Sequence, residues 1–133
     1  MDLDEIVGLR LGPGPWREVD GPSLERFWKA LDRPARSAEV PLFYLVSLLP
    51  ASTAGLSLPI LSPRATINLG LNSLAGAEPV LIGDRVRAIA TVSAADWLGV
   101  PEESSLQIVR SAVLENQRSE VVLIAETMGR LVY

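Results

Sequence analysis

The sequence predicts an α+β fold, an antiparallel sheet wrapped around one buried central helix. Three observations predict it. Residues 40–50, VPLFYLVSLLP, carry no charge, and Tyr44 and Ser47 are their only polar side chains; a helix that is apolar all round belongs inside a domain. From residue 64 onward the apolar residues recur with the period of strands rather than helices. Those strand-like runs follow one another through short turns, which favours antiparallel pairing. The apolar helix falls well short of the roughly 20 residues that cross a bilayer, so it reads as core.

Composition narrows the function classes. With 133 residues the chain suits a single domain spanning 1–133. Apolar residues make up 48% and charged residues 21%, a globular balance at the apolar end. The net charge is −4 with both signs interspersed, so no basic patch points to nucleic acid. There are no cysteines and no histidines. Thiolate chemistry, disulfides and Cys-ligated metals are thereby excluded, and the usual neutral-pH base and commonest metal ligand are missing. Proton transfer would have to use Asp, Glu, Tyr, Lys or an activated water. No metal or other cofactor is expected. The acidic opening MDLDEIVGLR has no apolar core run, so no signal peptide and no membrane association are expected, and the chain reads as cytoplasmic.

Along the chain, residues 3–11 suit a first short strand, ended by Gly12-Pro13-Gly14-Pro15. Residues 16–19 resume an extended segment. Ser23 is a candidate N-cap, and Leu24, Phe27, Trp28 and Leu31 follow at helical spacing before Pro34 ends the helix. A polar loop over residues 32–39 leads into the central helix, which tolerates Pro41 in its first turn and is kinked or stopped by Pro50. Residues 51–63 read as a surface loop or a pocket mouth. In the strand of residues 64–74, Ile67, Leu69 and Leu71 share one parity, and Asn68, Gly70 and Asn72 the other. A strand face that is small and polar suits close approach of a ligand or backbone. Val86, Ala88, Ala90 and Val92 share one face of a long strand over residues 78–97, with Gly83-Asp84 bending its start. Residues 104–115 and 119–133 complete the sheet.

At this point the chain resembles the MaoC-like hydratase and dehydratase family of hotdog folds. The segment of residues 11–31, LGPGPWREVDGPSLERFWKAL, is similar to that family's first strand and helix. LVSLLP (residues 45–50) resembles the end of its central helix. INLGLNSL followed by EPVLIGDRVRAIATV resembles its Asn-x-Gly-Leu strand and Pro-Val-x-x-Gly-Asp-x-Val-Arg turn, and MGRLVY its last strand. The resemblance implies a curved sheet around one long helix, dimerisation by joining sheet edges, and hydration or dehydration of acyl thioesters by an Asp-x-x-x-x-His pair. Asp32 falls where the family's Asp is expected, but five residues on stands Ser37 instead of His. An unassisted hydroxyl is no base at neutral pH. Pro41-Leu42 replaces the His-Gly that opens the family's helix, which removes an amide from the oxyanion-type donors. Ala75-Gly76 replaces an Arg-Phe pair. The hydratase machinery is therefore expected to be lost.

What remains is a set of candidates with two readings each. Asp32 suits a surviving acid or base, or a solvated carboxylate after a helix. Tyr44 suits a pocket donor or a packed core phenol. Asn68, Gly70 and Asn72 suit a polar pocket wall or hydrogen bonding within the sheet. Ser37, Glu39, Phe43 and Ser47 complete the candidate substrate-binding set. Arg85, Arg87 and Arg110 read as a solvated sheet face. Two functions follow from this set. One is a non-catalytic subunit that binds an acyl-thioester or other apolar ligand and pairs with a catalytic hotdog chain, as a homo- or heterodimer. The other is a stand-alone enzyme of lipid or polyketide metabolism, catalysing dehydration, cyclisation or isomerisation through Asp32, Tyr44 and Asn68. A subunit calls for a shallow pocket and an apolar sheet edge. An enzyme calls for a roomy pocket where an acid and a donor converge.

Overall fold

The computed structural model describes residues 2–33, 40–60 and 62–133. In chain order these form β1 (Arg10–Leu11), β2 (Arg17–Glu18), α1 (Gly21–Ala30), α2 (Leu42–Thr53), β3 (Ala65–Gly76), β4 (Arg85–Leu98), β5 (Ser105–Asn116) and β6 (Val121–Val132). The six strands make one antiparallel sheet in the order β1-β4-β5-β6-β3, with β2 also on β4. This is the expected α+β architecture, an antiparallel sheet packed against one central helix. Register shifts at Val92/Ala94 in β4, at Leu114/Glu115 between β5 and β6, and at two places in β3 bend and twist the strands.

The helix packs on the sheet because facing positions match in size. Val86, Ala88, Ala90 and Val92 of β4 are at most 1% exposed, so the small alanines let α2 approach closely. Tyr44, Leu45 and Leu49 of α2 join Val86, Ala88 and Ala90 with Leu114, Leu123 and Ala125 of the neighbouring strands in one core cluster, while Val92 packs in a second with Leu106 and Ile108. The expected all-round burial of the helix holds on one side only. Phe43 is 71% exposed and Ser47 and Pro50 are also exposed. Pro50 does not end the helix either; α2 runs through it to Thr53.

Three local expectations change for identifiable reasons. Residues 3–5 form a 3-10 turn capped by the Asp2 side chain instead of a strand. The N-cap of α1 is Asp20, whose Oδ1 accepts from the Ser23 amide at 2.7 Å and Oδ2 from the Ser23 hydroxyl at 2.9 Å. The Asp20 carboxylate thus accepts from both the amide and the hydroxyl of Ser23, a one-sided N-cap. Residues before Arg85 form a turn, not strand. There Gly83 takes φ +98°, and Asp84 accepts from the Leu81 amide, Gln117 Nε2 and both Arg118 terminal nitrogens. That network pins the turn to the β5–β6 hairpin and holds the Asp84 carboxyl down at about 2, chiefly through Arg118. The Gly-Asp of this turn is therefore structural.

Candidate functional site

A cavity of about 650 Å³ opens between α2 and the inner face of the sheet, within the size range of small-molecule sites. One wall is the second half of α2, with Val46, Leu49 and Thr53. A second is the segment after it, with Leu56, Leu58 and Ile60. The third is the sheet: Asn68, Gly70 and Leu71 of β3, Ile108 and Arg110 of β5, Thr127 and Leu131 of β6.

Arg110 is the only ionisable side chain that the described residues bring to it. Strand alternation explains how it gets there. Leu106, Ile108, Ala112 and Leu114 of β5 are at most 3% exposed, and Arg110 shares their parity, so it points inward with them. Burial lowers the pKa of its guanidinium, though far from enough to discharge an arginine. Among the described residues it has neither an ion pair nor a hydrogen bond partner. Its expected place on a solvated face is thus corrected. Arg85 and Arg87 do lie on the outer face, 5.2 and 4.4 Å from the Trp16 ring, and Arg87 also bonds Glu115 at 2.7 Å.

The remaining expected site residues divide. Asn68 and Gly70 line the cavity, but Asn72 does not. Simple alternation would place all three on one face. The register shifts at Asn68/Gly70 and Leu71/Ser73 break it, turning Leu71 to the cavity and Asn72 away. Gly70 takes φ +145° at the first shift, a conformation that suits glycine. Asn72 Nδ2 instead donates to Glu126 Oε1 at 2.9 Å. Tyr44 is 5% exposed and packs edge-on to Phe27 with ring centroids 5.4 Å apart. Burial, then the nearby Asp20 charge, raises its phenol pKa. It occupies the core reading. Asp32 is exposed, at φ +54° just beyond α1, and Phe43 and Ser47 are exposed on α2, where the Ser47 hydroxyl donates to the Tyr44 carbonyl. None of these four lines the cavity. Ser37 and Glu39 lie outside the described residues.

The expected site clustered near the start of α2, whereas the cavity lies along its second half. No described cavity-lining residue is Asp, Glu, Lys or Tyr, so this wall set can enclose and orient an apolar molecule but offers no acid or base. No helix of the described residues is long and apolar enough to cross a membrane. They hold no cluster of metal-ligating side chains either.

A second surface stands out beside the cavity. Strand β3 closes one edge of the sheet and, among the described residues, pairs only with β6. Eleven of its twelve residues are exposed, among them Ile67 at 45%, Leu69 at 39% and Leu71 at 41%.

No family model matches the sequence, and no curated protein matches it. Solved structures do match, across nearly the whole chain. A MaoC-like dehydratase from Rhodospirillum rubrum superposes with a TM-score of 0.76 at 17% identity, covering 99% of this chain and 97% of that one. The (R)-hydratase from A. caviae involved in PHA biosynthesis gives 0.68 at 20% identity, covering 94% and 96%. The HadBC (3R-hydroxyacyl-ACP dehydratase) complex from Mycobacterium tuberculosis gives 0.64 at 17% identity, with the same coverages. These likenesses show that the chain has the hotdog fold of MaoC-like dehydratases.

Proposed function

We propose that this chain is a ligand-holding hotdog subunit. It pairs through β3 with the sheet edge of a second hotdog chain, holds an acyl or other apolar ligand in the cavity along α2, and leaves acid–base chemistry to its partner. The observation that carries this reading is the exposed edge strand. A long edge with unpaired amides and carbonyls and apolar side chains is a template for another strand, and it adjoins the cavity, so a partner strand would also extend the cavity's wall. The described residues bring no carboxylate to the cavity and the chain has no histidine, which supports the division of labour. The HadBC complex is a precedent for a dehydratase of this fold that is built as a complex.

The stand-alone reading has one observation in its favour, a cavity roomier than a purely structural subunit needs. Against it, Asp32 and Tyr44 lie elsewhere, which leaves Asn68 as the sole member of the proposed catalytic trio at the cavity. Any catalysis here would rest on shape and proximity. The test is crotonyl-thioester hydration by the purified chain alone and mixed with hotdog chains encoded beside it. Activity only in a mixture supports the subunit; turnover by the chain alone overturns it.

A further inference from the structure

Arg110 poses a physical problem that the ligand-holding reading does not by itself resolve. It stands on β5, the middle strand of the sheet, between Ile108 and Ala112, which are 3% and 1% exposed. An arginine at an inward position loses hydration, and proteins normally compensate it with a carboxylate. Arg87 has Glu115, and Arg118 has Asp84 and Glu120, while Arg130, whose Nε is buried without a partner, lies outside the cavity lining. Arg110 alone combines an inward position with a cavity wall and no partner among the described residues.

We propose that the cavity is a receptor for free aliphatic carboxylic acids, with the Arg110 guanidinium pairing the carboxylate while the hydrocarbon chain lies along Leu49, Leu58, Ile108 and Leu131. This rests on the reading of the cavity as a ligand site and adds its ligand class. Four features favour a carboxylate. The guanidinium fork matches two coplanar oxygens. A single cation suits a single negative charge, whereas a phosphate dianion calls for a second cation, which the described lining does not hold. Thr127, paired with Arg110 across the β5–β6 ladder, and Asn68 on β3 add neutral polar groups on the same wall set. The rest of the lining is mainly apolar, so the complementary molecule has one charged end and a long uncharged remainder. An acyl thioester lacks that charge at its carbonyl, so the site distinguishes a free acid from its activated form. The opposing field is weak: the C-terminal carbonyls of α2 carry about half a charge, which decays within a turn.

The test is isothermal titration of the full chain at pH 7 with decanoate and with 1-decanol, repeated on Arg110→Met. Decanoate is expected to bind at least tenfold more tightly than decanol. Arg110→Met is expected to bring decanoate down to the alcohol's affinity while its melting temperature holds or rises, because an apolar side chain of similar volume removes a half-buried charge that has no partner among the described residues. Equal affinity for acid and alcohol, or an undiminished preference for the acid in Arg110→Met, would overturn the proposal and leave the ligand-holding reading standing. Failure of both probes to bind would overturn the two together. Should Arg110→Met not fold, Arg110→Gln serves the same comparison.

Discussion

The two edges of the sheet are handled in opposite ways. On one side β4 is shielded by the chain itself. Arg10–Leu11 and Arg17–Glu18 pair along it, and the loop between them closes down through a hydrogen bond from the Gly14 amide to the Ala88 carbonyl at 2.8 Å. On the other side β3, nearly as long, has β6 behind it and, among the described residues, no strand in front. An unprotected edge is a hazard for a lone protein, and the fold spends its N-terminal segment on protecting only β4. Among the described residues the asymmetry leaves β3 with an open outer side, beside the cavity it helps to line.

The contrast can be sharpened by substitution, beginning with the largest effect. Leu123 of β6 is fully buried behind β3. Leu123→Ala should cost about 2–5 kcal/mol in denaturant unfolding, whereas Leu69→Ala on exposed β3 should stay within about 0.5 kcal/mol under conditions that keep the chain monomeric. A large cost at Leu69 in the monomer would mean that β3 is already engaged within its own chain.

The shielded edge should break at Gly12. This residue has φ +101°, and a Cβ there would lie 2.9 Å from the Ala88 carbonyl oxygen. Gly12→Ala should therefore lose roughly 1–3 kcal/mol and speed hydrogen exchange along the outer edge of β4. Stability unchanged from the native chain would contradict the close approach.

Asp84 gives a pH test of comparable or smaller size. Its carboxyl is depressed to about 2 in the fold against 3.8 ordinarily, so the folded state binds this proton less readily than the unfolded state. The stability it contributes is present above about pH 4 and is lost as pH falls toward 2. Asp84→Asn should remove about 1–3 kcal/mol at neutral pH and flatten the acid limb of the stability profile. An acid limb as steep as the native one would assign the dependence to other carboxylates.

Smallest in its effect on the fold is the change that matters most for assembly. Ile67→Lys with Leu69→Lys should leave monomer unfolding within about 1 kcal/mol. The pair should nevertheless weaken edge pairing by at least tenfold, since charged residues on an edge oppose strand addition. Analytical ultracentrifugation over a concentration series reads that difference directly.

How much of this was legible depends on what the residues had to do. The central helix announced itself through its missing charges, and β4 through the even-numbered stripe of Val86, Ala88, Ala90 and Val92, because burial on one face enforces alternation. Strand β3 misled for the same reason: it is exposed on both faces and bulged twice, so its parity carried no information about Asn72. The catalytic candidates followed the expected Asp-His position near the start of α2, and the cavity lies further along that helix. Arg110 was readable in retrospect. It interrupts the stripe of Leu106, Ile108, Ala112 and Leu114, and a charge inside an apolar stripe has to be compensated by something. The edge exposure was not readable, because strand order is decided by long-range pairing.

The most direct test of the central claim is the native mass of the purified chain, alone and mixed with candidate hotdog partners. The account predicts a two-chain species, about twice the 14.3 kDa chain mass if homodimeric, that reverts to single chains in the Ile67→Lys, Leu69→Lys variant. A 14.3 kDa monomer in every mixture, or a dimer indifferent to those lysines, would contradict it.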